Sequence, residues 1–152
     1  MIERDLLKRH PFASGLSDAE LEKLLPLAEG VRYPIGTLIF REGGDASALY
    51  LILSGRVALE QHVPARGDFP VENLTGGDLL GLSWLFPGGH WVLSARAMED
   101  VEALRFDAED VKTLMDAEPA LGLALAKHVV SQLYQRLERV RLQRLDVYRG
   151  ES

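Results

Sequence analysis

The richest grouping of chemically versatile side chains is Gly81-Leu82-Ser83-Trp84-Leu85-Phe86-Pro87-Gly88-Gly89-His90-Trp91, where two tryptophans, a serine and a histidine frame a Pro-Gly-Gly turn. Indoles offer flat apolar surfaces, and serine and histidine offer polar edges, a combination suited to holding a flat ligand. Bond-making chemistry has no comparable support. Ser83 and Ser94 show no base partner, so nucleophilic catalysis lacks its second member. His10, His62, His90 and His128 have no metal-ligand spacing, and no H-x-H pair suggests a metal-dependent β-barrel enzyme. Asp45 and Ser47 follow Gly43-Gly44, but without Gly-Lys-Ser/Thr this stretch reads as a hairpin turn and not a phosphate loop. The carboxylates are plentiful and scattered.

Charge narrows the partners. The chain has 152 residues, a net charge of −6 and no cysteine. Disulfides, thiolate catalysis, cysteine-held zinc and cysteine-held iron–sulfur clusters are excluded. An acidic chain is a poor coat for nucleic acid, whose binding depends on clustered Lys and Arg. A local excess of cations does occur late in the chain, at Arg136, Arg139, Arg141, Arg144 and Arg149. Cations near a helix C-terminus complement its dipole and usually stay solvated. No apolar run approaches the roughly 18 residues of a membrane span, and the N-terminus lacks a signal-peptide core. A cytoplasmic protein with no membrane contact is the expectation.

The elements that must position the 81–91 segment follow from periodicity. Ser17-Asp18-Ala19-Glu20 is a capping box, and Leu21, Leu24, Leu25 and Ala28 continue it at helical spacing. Leu6 and Leu7 suggest a shorter helix ending before Pro11. From Gly30, turn residues alternate with short apolar or β-branched runs: Thr37–Phe40, Leu49–Leu53, Val57–Leu59, Val71–Leu74, Val92–Ala97 and Val101–Phe106. Such spacing predicts a sandwich or barrel, with Ser54-Gly55 as a hairpin turn. Asp107 caps a further helix through Met115, and Pro119 opens the longest one. In that helix Leu123, Ala126, Val130, Leu133, Leu137 and Val140 form an a/d stripe, opposite Lys127, Gln132, Gln135, Glu138 and Arg139. A stripe of this period pairs with a second helix, so homodimerisation is expected; packing on the chain's own β-domain is the alternative. No repeat or linker divides the chain, and one domain over 1–152 is predicted: helices in 1–30, strands in 31–106 and helices in 107–148.

Pro34-x-Gly36, Glu42-Gly43, Tyr50-x-Ile52, Ser54-Gly55-x-Val57, Gly77-Asp78 and Gly81, in this order, resemble the cyclic-nucleotide-binding domain of the Crp/Fnr regulators. The resemblance runs from about His10 to Tyr148 and includes Ala97–Leu104, the strand after the family's phosphate cassette. It implies a double-stranded, jelly-roll-like β-roll, mainly β with α, flanked by N-terminal helices and a long C-terminal dimerisation helix. It also implies a non-enzymatic regulatory sensor. Members that bind cyclic nucleotides carry a Glu after the cassette glycine, for the ribose, and an Arg about ten residues later that pairs with the cyclic phosphate. Here those positions are Leu82 and Trp91. Losing the cation costs on the order of a hundredfold in affinity unless His90, next to Trp91, or Arg96, five residues past it, compensates. A similar cassette, Gly-x-Ser-Trp-Leu…Trp, marks a subgroup of short members. The chain stops soon after Leu145-Asp146-Val147, which resembles the family's hinge, so no helix-turn-helix and no direct DNA binding are expected.

By this resemblance the ligand contacts are Gly81, Leu82, Ser83, Trp84, Trp91 and Val92, with Gln135 and Arg136 reaching in from the long helix. The ligand is a cyclic nucleotide or a flatter, less charged small molecule; the pocket filled by its own side chains is the alternative. No metal or fixed cofactor is implied. A ligand-free dimeric adaptor docking on a partner protein is the second functional expectation.

Overall fold

A computed structural model describes residues 2–85 and 88–150. Two four-stranded antiparallel sheets face each other. The first has the order β1-β8-β3-β6, with β1 Ala28–Tyr33, β3 Ala48–Ser54, β6 Leu79–Leu80 and β8 Val101–Asp107. The second has the order β2-β7-β4-β5, with β2 Leu38–Phe40, β4 Arg56–Val63, β5 Gly67–Thr75 and β7 Ser94–Ala97. Helices α1 Arg4–Lys8, α2 Asp18–Leu24, α3 Ala108–Ala117 and α4 Pro119–Gly150 complete the β-roll expected from the sequence.

The apolar run of β3 serves two cores at once. Ala48, Tyr50 and Ile52 point into the roll and meet Val57, Leu59, Leu74, Leu80, Ala95 and Ala97 from the other strands. Leu49 and Leu51 point the other way, into a second core with Leu21 and Leu24 of α2, Val111 of α3, and Leu121, Leu125 and Val129 of α4. A strand buried on both faces loses the polar alternation of a half-wet strand. Hence the helices are fixed to the roll through the first sheet.

Local signals built the helix starts as expected. Ser17 Oγ accepts from Glu20 N at 3.1 Å, while Glu20 Oε1 accepts from Ser17 N at 3.0 Å. Asp107 accepts from the backbone of Glu109 and Asp110 at the head of α3. Helix α2 nevertheless stops at Leu24, and Ala28 opens β1 instead of continuing the helical face. Pro26, which cannot donate to a helical ladder, leaves only a 3₁₀ turn over Leu25–Leu27. Strand β1 itself, at a sheet edge with Glu29, Gly30 and Arg32 exposed or half-exposed, carried too little alternation to be foreseen, as did the two-residue β6.

Neither turn expected as a hairpin is one. Ser54-Gly55 joins β3 of the first sheet to β4 of the second, and Gly43–Ser47 joins β2 of the second to β3 of the first. Gly55 is required at its corner for two reasons: φ is +92°, and a Cβ there would sit 2.4 Å from the Asp100 carbonyl oxygen. The true hairpin is β4–β5, paired from Arg56↔Thr75 to Val63↔Gly67, with Pro70 accommodated because β5 is an edge strand.

Helix α4 buries Leu121, Leu125, Val129 and Gln132. Gln132, expected on the polar face, instead accepts from the buried Leu79 N–H at 3.2 Å. The a/d stripe is the part left uncovered: Leu123, Val130, Leu133, Leu137 and Val140 are all exposed, Leu137 to 65%. The alternative that the stripe packs on this chain's own roll is thereby overturned. The docked apolar residues Leu121, Leu125 and Val129 are spaced by four, and Gln132 follows three positions on.

Candidate functional site

A cavity of about 270 Å³ opens between the second sheet, the segment after β6 and α4. Phe40 of β2 and Leu59 of β4 form its floor, Gly81, Leu82 and Ser83 one wall, Trp91, Val92 and Leu93 another, and Leu133 and Arg136 of α4 the lid side. Six of the eight expected contact residues therefore line one cavity: Gly81, Leu82, Ser83, Trp91, Val92 and Arg136.

Trp84 and Gln135 do not line it. Trp84 lies in a 3₁₀ turn over Ser83–Leu85, is 1% exposed, and belongs to the core beneath the helices. Its indole N–H has no hydrogen-bond partner among the described residues. The side chain thus anchors the wall from behind. Gln135 faces a different cleft, beside Arg9, Ser14 and His128 near the N-terminal turn. One position along a helix rotates a side chain by about 100°, which separates Gln135 from Arg136. Phe86 and Pro87 of the cassette lie outside the described residues.

Trp91 is held from several directions. Its carbonyl accepts from Gly43 N and its N–H donates to Gly44 O, both at 2.8 Å. Its ring stacks on Phe40 with centroids 3.8 Å apart and planes 11° from parallel. The opposite edge runs against Gly81, where φ is +88° and a Cβ would come within 2.8 Å of the indole. Gly81 is thus needed both for its backbone and for the ring beside it. Phe40, which sequence reasoning missed as a site residue, is half-buried at the end of a three-residue strand. Only the stacking partner 51 positions on distinguishes it from an ordinary core residue.

The electrostatics are unlike those of a phosphate pocket. Leu82 and Trp91 occupy the wall, and Arg136 is the one cation among the described lining residues. Its guanidinium is already committed: Nε and Nη2 donate to the two carboxylate oxygens of Glu72 on β5, each at 2.9 Å. Both side chains are only 14% exposed, so removing either partner would strand a buried charge at a cost of about 3–5 kcal/mol. Arg139 lies one turn on, 3.4 Å from each Asp78 carboxylate oxygen and 3.8 Å from Glu72. Asp78 also accepts from Thr75 N at 2.9 Å. Arg141 pairs with Glu138, while the side chains of Arg144 and Arg149 lie outside what the structure describes.

Arg96 and His90 supply no replacement cation to the cavity. Arg96 points to the outer face of the second sheet, donating to Glu60 Oε1 at 3.0 Å and to the Gly36 carbonyl at 3.2 Å. There it borders a separate, larger cavity of about 670 Å³, with Arg41, Glu42, His62 and Asp68. His90 is exposed, 3.4 Å from Asp45. Among the described residues no three His, Asp or Glu side chains are placed to hold a metal, and no helix is long and apolar enough to cross a membrane.

His10 is buried, bordering a separate cleft with Ile52 and Gly77. Its Nδ1 accepts from Phe12 N at 3.1 Å, so Nε2 carries the proton and donates to the Asp78 carbonyl at 3.2 Å. Burial pushes its pKa below the ordinary 6.5, against the opposing pull of the Asp78 carbonyl.

Comparison with known proteins agrees with this architecture. The chain is 28% identical over 135 residues to an uncharacterized NTE family protein of Mycobacterium tuberculosis, covering 87% of this chain and 22% of that protein. It is 32% identical to the cyclic AMP receptor protein of Thermus thermophilus, covering 84% of this chain and 59% of the relative. Thus the chain spans about a fifth of the one and well under two thirds of the other. A solved structure assigned to the cyclic nucleotide-binding proteins, from Geobacter metallireducens GS-15, superposes with a TM-score of 0.81 at 27% identity, covering 90% of this chain and 99% of that one. The sequence profile of the cyclic nucleotide-binding domain matches residues 30–118, which hold every strand but the start of β1, the whole cassette and α3, and the chain belongs to that family.

Proposed function

We propose that this chain is a non-enzymatic sensor domain that binds a small flat ligand in the Gly81–Trp91 cavity and reports occupancy through α4 of a homodimer. The observation that carries the reading is that one helix does two things. Leu133 and Arg136 border the cavity, while Leu133 also belongs to the exposed stripe with Val130, Leu137 and Val140. A ligand that touches α4 differently in two helix positions would therefore bias the seam directly. A second copy of this chain is the natural occupant of the stripe. An a/d repeat of Leu and Val is self-complementary, as a two-fold interface requires.

The cavity's size and lining set the ligand. Its volume of about 270 Å³ lies near the lower end of the roughly 300–1,000 Å³ typical of small-molecule pockets. The Phe40–Trp91 stack offers an aromatic surface where the family's phosphate-pairing Arg would stand. Ring recognition is favoured over recognition of a cyclic phosphate. The relative from Thermus thermophilus is named for cyclic AMP, and Leu82 and Trp91 are the reasons to expect weaker binding here.

The ligand-free adaptor reading keeps one supporting observation, the same stack, which fills part of the roll with the protein's own rings. Calorimetric titration with cyclic AMP and cyclic GMP, on the wild type and on Trp91→Ala, separates the two. Saturable heat that is lost in Trp91→Ala while the variant stays folded, at the cost of about 3–5 kcal/mol expected for truncating a buried tryptophan, supports sensing. Silence toward both nucleotides and toward the uncharged nucleoside adenosine, with a dimer that persists, turns the function toward a partner protein. Micromolar affinity unaffected by Trp91→Ala would contradict the assigned site.

A further inference from the structure

We propose that Glu72 is a specificity determinant that closes the cavity to anions and reserves it for uncharged ligands. The proposal rests on the reading of the cavity as a ligand site and deepens it by naming the ligand class. Arg136 is the one cation among the described lining residues, and the rest of the lining is apolar, aromatic or hydroxyl. A single free guanidinium in such a setting would be a strong anion receptor. Glu72 counters this by neutralising the guanidinium and occupying its Nε/Nη2 edge, at 2.9 Å for each bond.

Among the described residues the surroundings offer no spare positive charge. Arg139, the next cation along α4, is shared between Asp78 and Glu72, so two arginines face two carboxylates and the ring is neutral. Of the cations on the second sheet, Arg96 is committed to Glu60 on the outer face, and Arg56 to Glu99. An anionic ligand would place a third negative charge against two positive ones. Displacing Glu72 onto Arg139 does not change that count. An uncharged ring system leaves the pair intact and meets Trp91, Phe40 and Leu133.

The pair also has a mechanical consequence. Glu72 lies on β5, the outer strand of the β4–β5 hairpin, and Arg136 lies on α4, so the bond ties the hairpin to the helix at a residue that lines the cavity. A ligand that enters without breaking it can be enclosed with the tie in place.

The test compares two probes that share base and sugar: adenosine, which is uncharged, and cyclic AMP, a monoanion. Affinities are measured by calorimetry on the full chain, with the Arg136 Nε–Hε resonance followed by NMR. In the wild type, cyclic AMP should bind no more tightly than adenosine and should leave the Arg136 resonance in place. In Glu72→Gln, cyclic AMP should gain about tenfold or more over adenosine, the size of one charge-assisted hydrogen bond. Glu72→Asp, which perturbs packing but keeps the charge, should show no such gain, and Glu72→Gln/Arg136→Gln should abolish it. Inorganic sulfate serves as a second probe independent of nucleoside recognition. If neither nucleoside binds any variant, a sulfate-dependent Arg136 shift in Glu72→Gln alone upholds the charge assignment and retires nucleoside-like ligands. Equal responses of wild type and Glu72→Gln to both anions would overturn the proposal. So would preferential binding of cyclic AMP by the wild type.

Discussion

The two halves of α4 hold to the body by different physics. From Leu121 to Gln132 the helix is embedded: Leu121, Leu125 and Val129 sit in the core shared with α2, α3 and the first sheet. Past Leu133, which borders the cavity, its contacts with the roll are the ion pairs of Arg136 with Glu72 and Arg139 with Asp78, while Leu137, Val140, Leu142 and Leu145 face outward. Truncating a buried apolar side chain leaves a void, whereas an exposed one can be cut at little cost to the fold. The first half is therefore an anchor and the second an arm held by ion pairs. The candidate cavity lies where one gives way to the other.

The sharpest way to break this comparison is to truncate one residue in each half. Leu125→Ala should cost about 2–5 kcal/mol of folding stability, the range for a buried leucine whose cavity cannot collapse. Urea unfolding would measure it, and a loss below 1 kcal/mol would mean the anchor is not one. Gln132→Ala comes next, with an expected loss of about 1–3 kcal/mol because the Leu79 N–H is left buried without an acceptor.

His10 tests whether the anchor's foundation is sensitive to acid. Its folded pKa lies below its ordinary value of 6.5, so the unfolded chain binds the proton more readily than the folded one. Its contribution is complete above 6.5 and is lost progressively as pH falls toward the lowered folded value. The slope should not exceed about 1.4 kcal/mol per pH unit. Unfolding curves between about pH 5 and 7 should show this, and His10→Gln should flatten the dependence. An unchanged slope in the variant would place the proton uptake elsewhere.

The smallest effect on the fold is expected in the arm. Leu137→Glu should change the stability of the isolated chain by no more than about 0.5 kcal/mol, since the side chain is exposed. Light scattering should nevertheless report a monomer where the wild type is a dimer. A monomeric wild type would remove the seam from the proposed mechanism. A large loss of folding stability in Leu137→Glu would erase the distinction between the halves.

Much of the architecture was legible because its signals are local. The capping box at Ser17, the Asp107 cap and the long helical stripe each depend on residues within a turn or two of one another. The strand runs were visible where both faces or one face were consistently apolar, as in β3 and β8, and invisible at the edges, as in β1 and β6. The cassette substitutions Leu82 and Trp91 were also open to reading, since each departs from what a phosphate requires of its neighbours. Phe40 was not, because nothing within a few residues of it differs from a core strand.

Taken alone, the sequence determined a sandwich-or-barrel β-domain flanked by helices, the helix starts and the a/d stripe. These follow from periodicity, turn chemistry and side-chain type, all of which act over short spans, whereas the reading of the cassette came from a family resemblance. Tertiary structure alone decided that Ser54-Gly55 turns between sheets, because a corner and a hairpin share turn residues and differ only in what lies opposite, here Asp100. It also decided that Arg136 faces the cavity while Gln135 does not, and that the cation is spent on Glu72, 64 positions away. Whether an arginine is free to bind depends on which carboxylate the fold brings to it, and that proximity is settled only when sheet, hairpin and helix are assembled together.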